Sequence, residues 1–286
     1  MTQTNARTLG PSTEKENAVS KMYSSFAEAI EFVHNHMRDR SKAIHTESWQ
    51  GIDISRRPEA QMREIINFDF RVQMISENLD HYRGQIKPNL PWADEHFSER
   101  VCGYPMNPGE SWKSWPWGHS AKSFLDKKGR FEVNYMERFW AAKEFEDTPV
   151  EGVASELTGI RGRPYGDLAS IIKLLAREPL TRQAYLPIFF PEDTGAGGRV
   201  PCSLGYHFMM RSGYLNIFYP IRSCDYYRHF RDDIYLAVRL LLWVLDELRS
   251  VDPKVWDQVR PGYYSMWIGS LHVFVNDFIK LFEKLD

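Results

Sequence analysis

RVPCSLGYHFMMRSGYLNIFYPIRSCDYYRHFRDDIYLA, residues 199–237, sets a proline-flanked cysteine, a hairpin, an Arg-Ser-Cys-Asp tetrad and the start of an apolar helix in one run. Leu204 to Met210 and Tyr214 to Tyr219 are aromatic and aliphatic stretches broken by Ser212-Gly213, which predicts two antiparallel strands and a tight turn. Ile234 to Leu248 is apolar on most sides and predicts a buried helix. Cys202 stands twenty residues before Arg222. A thiolate is the strongest nucleophile among ordinary side chains and needs a cationic neighbour to form at neutral pH. Arg222 can supply that charge, and a guanidinium fork also suits a phosphate.

Outward from this stretch, Phe26, Ile30, Val33 and Met37 recur at helical spacing, and Glu64 to Met74 alternates as a strand does. Trp92 to Cys102 predicts a helix stopped by Gly103, with Pro105 and Pro108 beyond it. Trp49 to Arg57 is expected to be a loop, and GESWKSWPWGHSAK is expected to lack regular structure. Gly166 to Arg177 predicts a helix ending before Pro179, followed by a strand at Ala184 to Phe190. Gly195, Gly197 and Gly198 predict a turn before Cys202. The closing GYYSMWIGSLHVFVNDFIKLFEKLD predicts a strand, a short connection and a terminal helix. Mixed helices and antiparallel strands make an α+β class.

With 286 residues, 43% of them hydrophobic and 14% aromatic, the chain can bury a large core. We expect residues 21–286 to form one catalytic domain behind a polar, disordered leader at 1–20. A net charge of -2 argues against bulk nucleic-acid binding. No apolar run of about 18 residues and no signal peptide is evident, so the expected location is cytoplasmic, away from membranes. Cys102, Cys202 and Cys224 are too few and too scattered for a disulfide framework or a metal site, which fits a reducing compartment.

Together the Pro201-Cys202 pair and the Arg222-Ser223-Cys224-Asp225 tetrad resemble the thymidylate synthase superfamily, strongly from about Asp167 to Asn276 and weakly before it. The resemblance implies a thymidylate synthase-like fold that pairs sheet to sheet in a homodimer, with 5,10-methylenetetrahydrofolate as the one-carbon donor. It makes Cys202 the nucleophile toward C6 of a pyrimidine nucleoside monophosphate. Arg222 and Ser223 would bind its phosphate, and Asp225 would meet the folate's pterin. The family's base-reading asparagine, eight residues past the tetrad's aspartate, is Asp233 here, with a one-residue slip onto Asp232 as the alternative. Cytosine offers an unprotonated N3 and an amino donor, which a carboxyl suits better than it suits uracil. Within the family that exchange is similar to the cytidylate 5-hydroxymethylases.

The resemblance also implies that the phosphate site is completed across the dimer. Arg182 keeps the first of two partner arginines and Gln183 replaces the second, while Arg57, or Arg56, matches a further one. His272 matches the histidine that grips the sugar, but Phe274 stands in place of its tyrosine partner, which favours CMP slightly over dCMP. The general acid falls on Glu99 or Glu95, with Glu99 preferred. Trp115 or Trp117 would lie against the folate, and Tyr135 matches the tyrosine that assists loss of the C5 proton. Ser203 replaces a histidine that orders water. The family's apolar closing tail has no counterpart in a sequence ending at Asp286, which fits either an enzyme that admits water to its intermediate or a truncated folate site. These departures leave open thymidylate synthase or dUMP hydroxymethylase activity, and also a non-catalytic nucleotide-binding role.

Overall fold

The computed structural model describes residues 21–49, 51–141, 166–195 and 198–283. The leader at 1–20 and Gly197 therefore lie outside the described residues. Two long strands organise the rest: β8 (Tyr214–Asp225) and β9 (Arg260–Phe274), parallel to one another, with Asp225 opposite His272. On one side β9 pairs antiparallel with β5 (Met62–Gln73), which carries β1 (Lys21–Tyr23) in parallel and β2 (Lys42–Ile44) in antiparallel register. On the other side β8 continues antiparallel to β7 (Gly205–Arg211) and then β6 (Tyr185–Pro187). The result is a seven-stranded, mostly antiparallel sheet. Off the sheet, β3 (Ser48–Trp49) and β4 (Ile52–Asp53) form a small hairpin within the expected loop.

Alternation along the strands decides which face is buried. Leu215, Ile217, Tyr219 and Ile221 of β8 have no exposed surface, and neither do Tyr264 and Ile268 of β9. Helices cover this face. The largest is α7 (Phe230–Val251), joined by α1 (Phe26–Arg40), α2 (Leu79–Ile86), α3 (Trp92–Arg100) and α6 (Leu168–Arg177). The opposite face leaves Tyr185, Phe218 and Tyr263 each more than a third exposed.

Local chemistry explains the boundaries. Ser25 caps α1 by accepting from the Glu28 amide, and Asp167 caps α6 by accepting from that of Ser170. Ser212 and Gly213 both take positive φ, 52° and 78°, as a two-residue hairpin with the twist of its strands requires. The Gly-Trp tract departs from expectation, folding into single turns at Ser111–Lys113, α4 (Gly118–Ala121) and Lys122–Phe124. A short α5 (Tyr135–Phe139) follows. Helix α2 escaped the sequence reading because its eight residues bury only Tyr82 and Ile86. Beyond α7 come the short α8 (Pro253–Trp256) and, directly from the end of β9 with no connecting loop, α9 (Val275–Phe282). No described helix is long and apolar enough to cross a membrane.

Candidate active site

The segment before β7 crosses the end of β8 and is tied to it. Leu204 donates to the Pro220 carbonyl (3.0 Å), and the Arg222 amide donates to the Cys202 carbonyl (2.9 Å). The Arg222 side chain reaches back over the same segment, with Nε donating to Pro201 O (2.8 Å) and Nη2 to Val200 O (3.0 Å). One arginine thus fixes the Cys202 loop and places its charge beside the thiol. Gly269 of β9 lets the neighbouring strand approach, since a Cβ there would lie 2.7 Å from the Arg222 carbonyl.

Cys202 opens into a cavity of about 700 Å³, within the ~300–1,000 Å³ usual for small-molecule sites. Cys202, Arg222, Ser223, Asp225, Asp233, His272, Tyr135 and Trp115 all line it. Burial pushes the Cys202 thiol up further than Arg222 and Arg199 pull it down. The resting group is therefore the thiol. Alkylation of Cys202 by iodoacetamide, followed by peptide mass spectrometry, should be slow at pH 7 and accelerate only at a pH above that at which an ordinary cysteine does.

Asp232 and Asp233 part company in the first turn of α7. Asp232 is 1% exposed and accepts from the Asn89 amide (2.8 Å) and side chain (2.7 Å). Asp233 faces the cavity and accepts from Cys224 Sγ at 3.5 Å. Burial pushes its carboxyl up to about 7 against the pull of Arg100. The one-residue slip is thus disfavoured by geometry, because Asp232 is committed to Asn89.

Glu99 and Glu95 depart from expectation, since neither lines the cavity. Glu99 accepts from the backbone of Glu110 (2.5 Å) and Ser111 (2.7 Å) and from the Ser111 hydroxyl (2.5 Å). Burial would raise its carboxyl, but donors from His96 and Ser111 outweigh that and hold it at about 2. It is ionised at neutral pH and has no proton to give. Glu95 is exposed and accepts from Ser114 Oγ. Glu99→Gln is expected to lose ~1–3 kcal/mol of stability at pH 7. A group depressed in this way stabilises the fold above its unfolded pKa and stops doing so as pH falls through the folded value. In urea titrations the gap to wild type should therefore narrow below about pH 4.5.

The same helix presents His96 and Arg100 to the cavity instead. They follow Trp92 at successive steps of four residues, on the face that packs inward. That stripe is the signal the sequence carries for them, one residue round the helix from Glu95 and Glu99. Arg199, Arg228 and His229 also line the cavity and were not singled out. Trp117 packs behind Trp115 at 5.5 Å and does not reach the cavity. Arg182 is exposed, its carbonyl 3.0 Å from His207 Nε2. Arg57 lines a neighbouring cavity of about 220 Å³ with Phe274, sharing Arg228 with the main one. His272 Nδ1 lies 3.5 Å from Ser223 Oγ. Tyr135 hydrogen-bonds Ser203 at 3.3 Å, and Ser203 Oγ meets Tyr219 at 2.7 Å.

No protein-family profile matches the chain. A thymidylate synthase of Rhodopseudomonas palustris (strain BisA53) is 25% identical over 179 residues, covering 61% of this chain. The match spans 57% of that relative's length. The thermostable thymidylate synthase A of Bacillus subtilis superposes with a TM-score of 0.59 at 13% identity, covering 90% of this chain and 83% of that one. The second comparison shows that this chain has the thymidylate synthase fold, and the first adds a stretch of sequence similar to a thymidylate synthase.

Proposed function

We propose that the protein transfers a one-carbon unit to C5 of a cytidylate, CMP or dCMP, giving the 5-hydroxymethyl nucleotide. The observation that carries this reading is Asp233, a carboxyl in place of an amide, facing the same cavity as Cys202 and Arg222. A carboxylate accepts from the cytosine amino group, whereas uracil would set its O4 acceptor against it.

The lining of the cavity supports a folate site. Trp92, Trp115 and Phe124 give it an aromatic wall, and Trp115 Nε1 is a buried donor without a hydrogen-bond partner among the described residues. Asp225 Oδ1 accepts from the amides of Tyr227 and Arg228 (3.0 and 3.1 Å), which aims its carboxylate for a ring N–H. When bound, 5,10-methylenetetrahydrofolate supplies a carbon at the formaldehyde oxidation level.

In this reading Cys202 adds to C6 of the base, which makes C5 nucleophilic toward the donor. Asp233 holds the exocyclic amino group and so keeps C6 over the sulfur. Tyr135, its phenol kept protonated by burial, orients water or the acceptor of the C5 proton through its bond to Ser203. Loss of the C5 proton breaks the bond between the transferred carbon and the donor's nitrogen, releasing tetrahydrofolate; water then adds to the exocyclic methylene so exposed, and expulsion of Cys202 from C6 regenerates the thiol. Arg222 spends Nε and Nη2 on its own loop, so a dianionic phosphate needs further cations. A second copy on the open sheet face would bring them. Tyr185, Phe218 and Tyr263 stand exposed there and Arg182 lies at its margin, which supports the homodimer.

Incubation with CMP, dCMP, UMP and dUMP plus 5,10-methylenetetrahydrofolate tests the reading by product mass and dihydrofolate absorbance. A hydroxymethylated cytidylate without dihydrofolate is the expected result. Methylated uridylate with dihydrofolate would instead make the protein a thymidylate synthase, as its curated relative is named.

A further inference from the structure

Arg100 is 5% exposed, yet it lines the cavity. A guanidinium taken out of water is costly unless its donors are satisfied and its charge countered. Its Nε donates to His96 (3.1 Å), Nη1 reaches Tyr206 Oη at 3.4 Å, and its plane lies over the Tyr135 ring at 4.4 Å. Among the described residues no carboxylate pairs with it and Nη2 has no acceptor. The carboxyl that feels its charge is Asp233, on the same cavity.

The guanidinium is also held from behind. Burial keeps His96 neutral, with its pKa pushed down to about 4. Its Nε2 therefore accepts from Arg100, which leaves the proton on Nδ1 to donate to Ser111 Oγ (3.2 Å). Ser111 Oγ in turn donates to Glu99. A relay of buried groups ending at an ionised carboxylate thus positions one cation and leaves part of its fork open toward the cavity. Such an arrangement is pre-organised for an acceptor on a ligand.

Resting on the cytidylate reading above, we propose that Arg100 is a second base-reading residue, donating to the N3–O2 edge of a cytosine whose amino group Asp233 holds. Cytosine presents a donor beside two acceptors, the complement of a carboxylate beside a guanidinium. Uracil presents N3–H to the guanidinium and O4 to the carboxylate, a mismatch at both points.

Isothermal titration of CMP and UMP against wild type, Arg100→Met and Arg100→Lys, each checked for folding by circular dichroism, tests the proposal. Arg100→Met should weaken CMP about tenfold or more and UMP less, so that the preference for CMP shrinks. Arg100→Lys, with the charge but not the fork, should fall between. An unchanged CMP:UMP ratio in folded Arg100→Met overturns the proposal while leaving the cytidylate reading in place. Equal binding of both nucleotides by the wild type overturns that reading and this one with it. Should neither variant fold, a crystal structure of wild type with CMP decides. A guanidinium nitrogen within ~3.2 Å of N3 or O2 is expected, and a guanidinium out of hydrogen-bonding reach of the base refutes the role.

Discussion

Cys202→Ser is expected to slow exchange of the C5 hydrogen of CMP with solvent by at least ~10⁴-fold, as loss of a nucleophile that acts with its surroundings as a unit does elsewhere. Exchange in the absence of folate needs only reversible addition at C6 and protonation at C5, so it isolates the thiol's part. The serine hydroxyl fits the same loop, which Arg222 holds through Pro201 and Val200. Nucleotide affinity should therefore stay near wild type while exchange disappears. Loss of deuterium from C5-labelled CMP, followed by mass spectrometry, reads both proteins in one experiment. Exchange that persists in the serine variant would remove Cys202 from the mechanism. Nucleotide binding by a wild type that shows neither exchange nor turnover would leave a binding protein on the same fold.

Asp233→Asn should change two properties at once. Exchanging one buried acceptor for an amide costs ~1–3 kcal/mol against the mismatched base, so the CMP:UMP preference should move about tenfold or more toward UMP. The variant should also be the more stable protein at alkaline pH. The Asp233 carboxyl rises from 3.8 to about 7 on folding, chiefly through burial. The ionised form is thus the disfavoured one, and the group's contribution is complete below pH 3.8 and is lost as pH climbs through about 7. An asparagine has no such loss, and the variant should exceed wild type by ~2–4 kcal/mol at pH 8, with the gap closing toward pH 4. Asp232, raised to about 6, titrates in both proteins and enters the difference only through its repulsion of the ionised Asp233. Urea titrations across this range measure it. A difference that does not vary with pH would mean that Asp233 is not the buried acid its surroundings make it.

What could be read from the sequence follows from how local each feature is. Cys202, Arg222 and Asp225 belong to one strand and the segment tied to it, so their spacing already implies their meeting. The Ser212-Gly213 turn and the apolar faces of α1 and α7 are likewise set within a few residues, by φ preference and by period. Other positions depend on what a helix packs against. Asp232 and Asp233 differ by one step of α7, and only the arrival of Asn89 from the segment before α3 claims the first and leaves the second for the cavity. On α3, charge alone favours Glu99, yet the helix turns Trp92, His96 and Arg100 inward, and the backbone at 110–111 captures the glutamate. Arg57 and Phe274 share a neighbouring cavity for the same kind of reason. Sequence by itself determined the strands, the turn and the thiol beside its arginine, because short-range geometry specifies them. Tertiary structure alone decided which polar side chains face the cavity, because a side chain's exposure is fixed by whatever packs against it, from 11 residues away for Glu99 to 143 for Asp232.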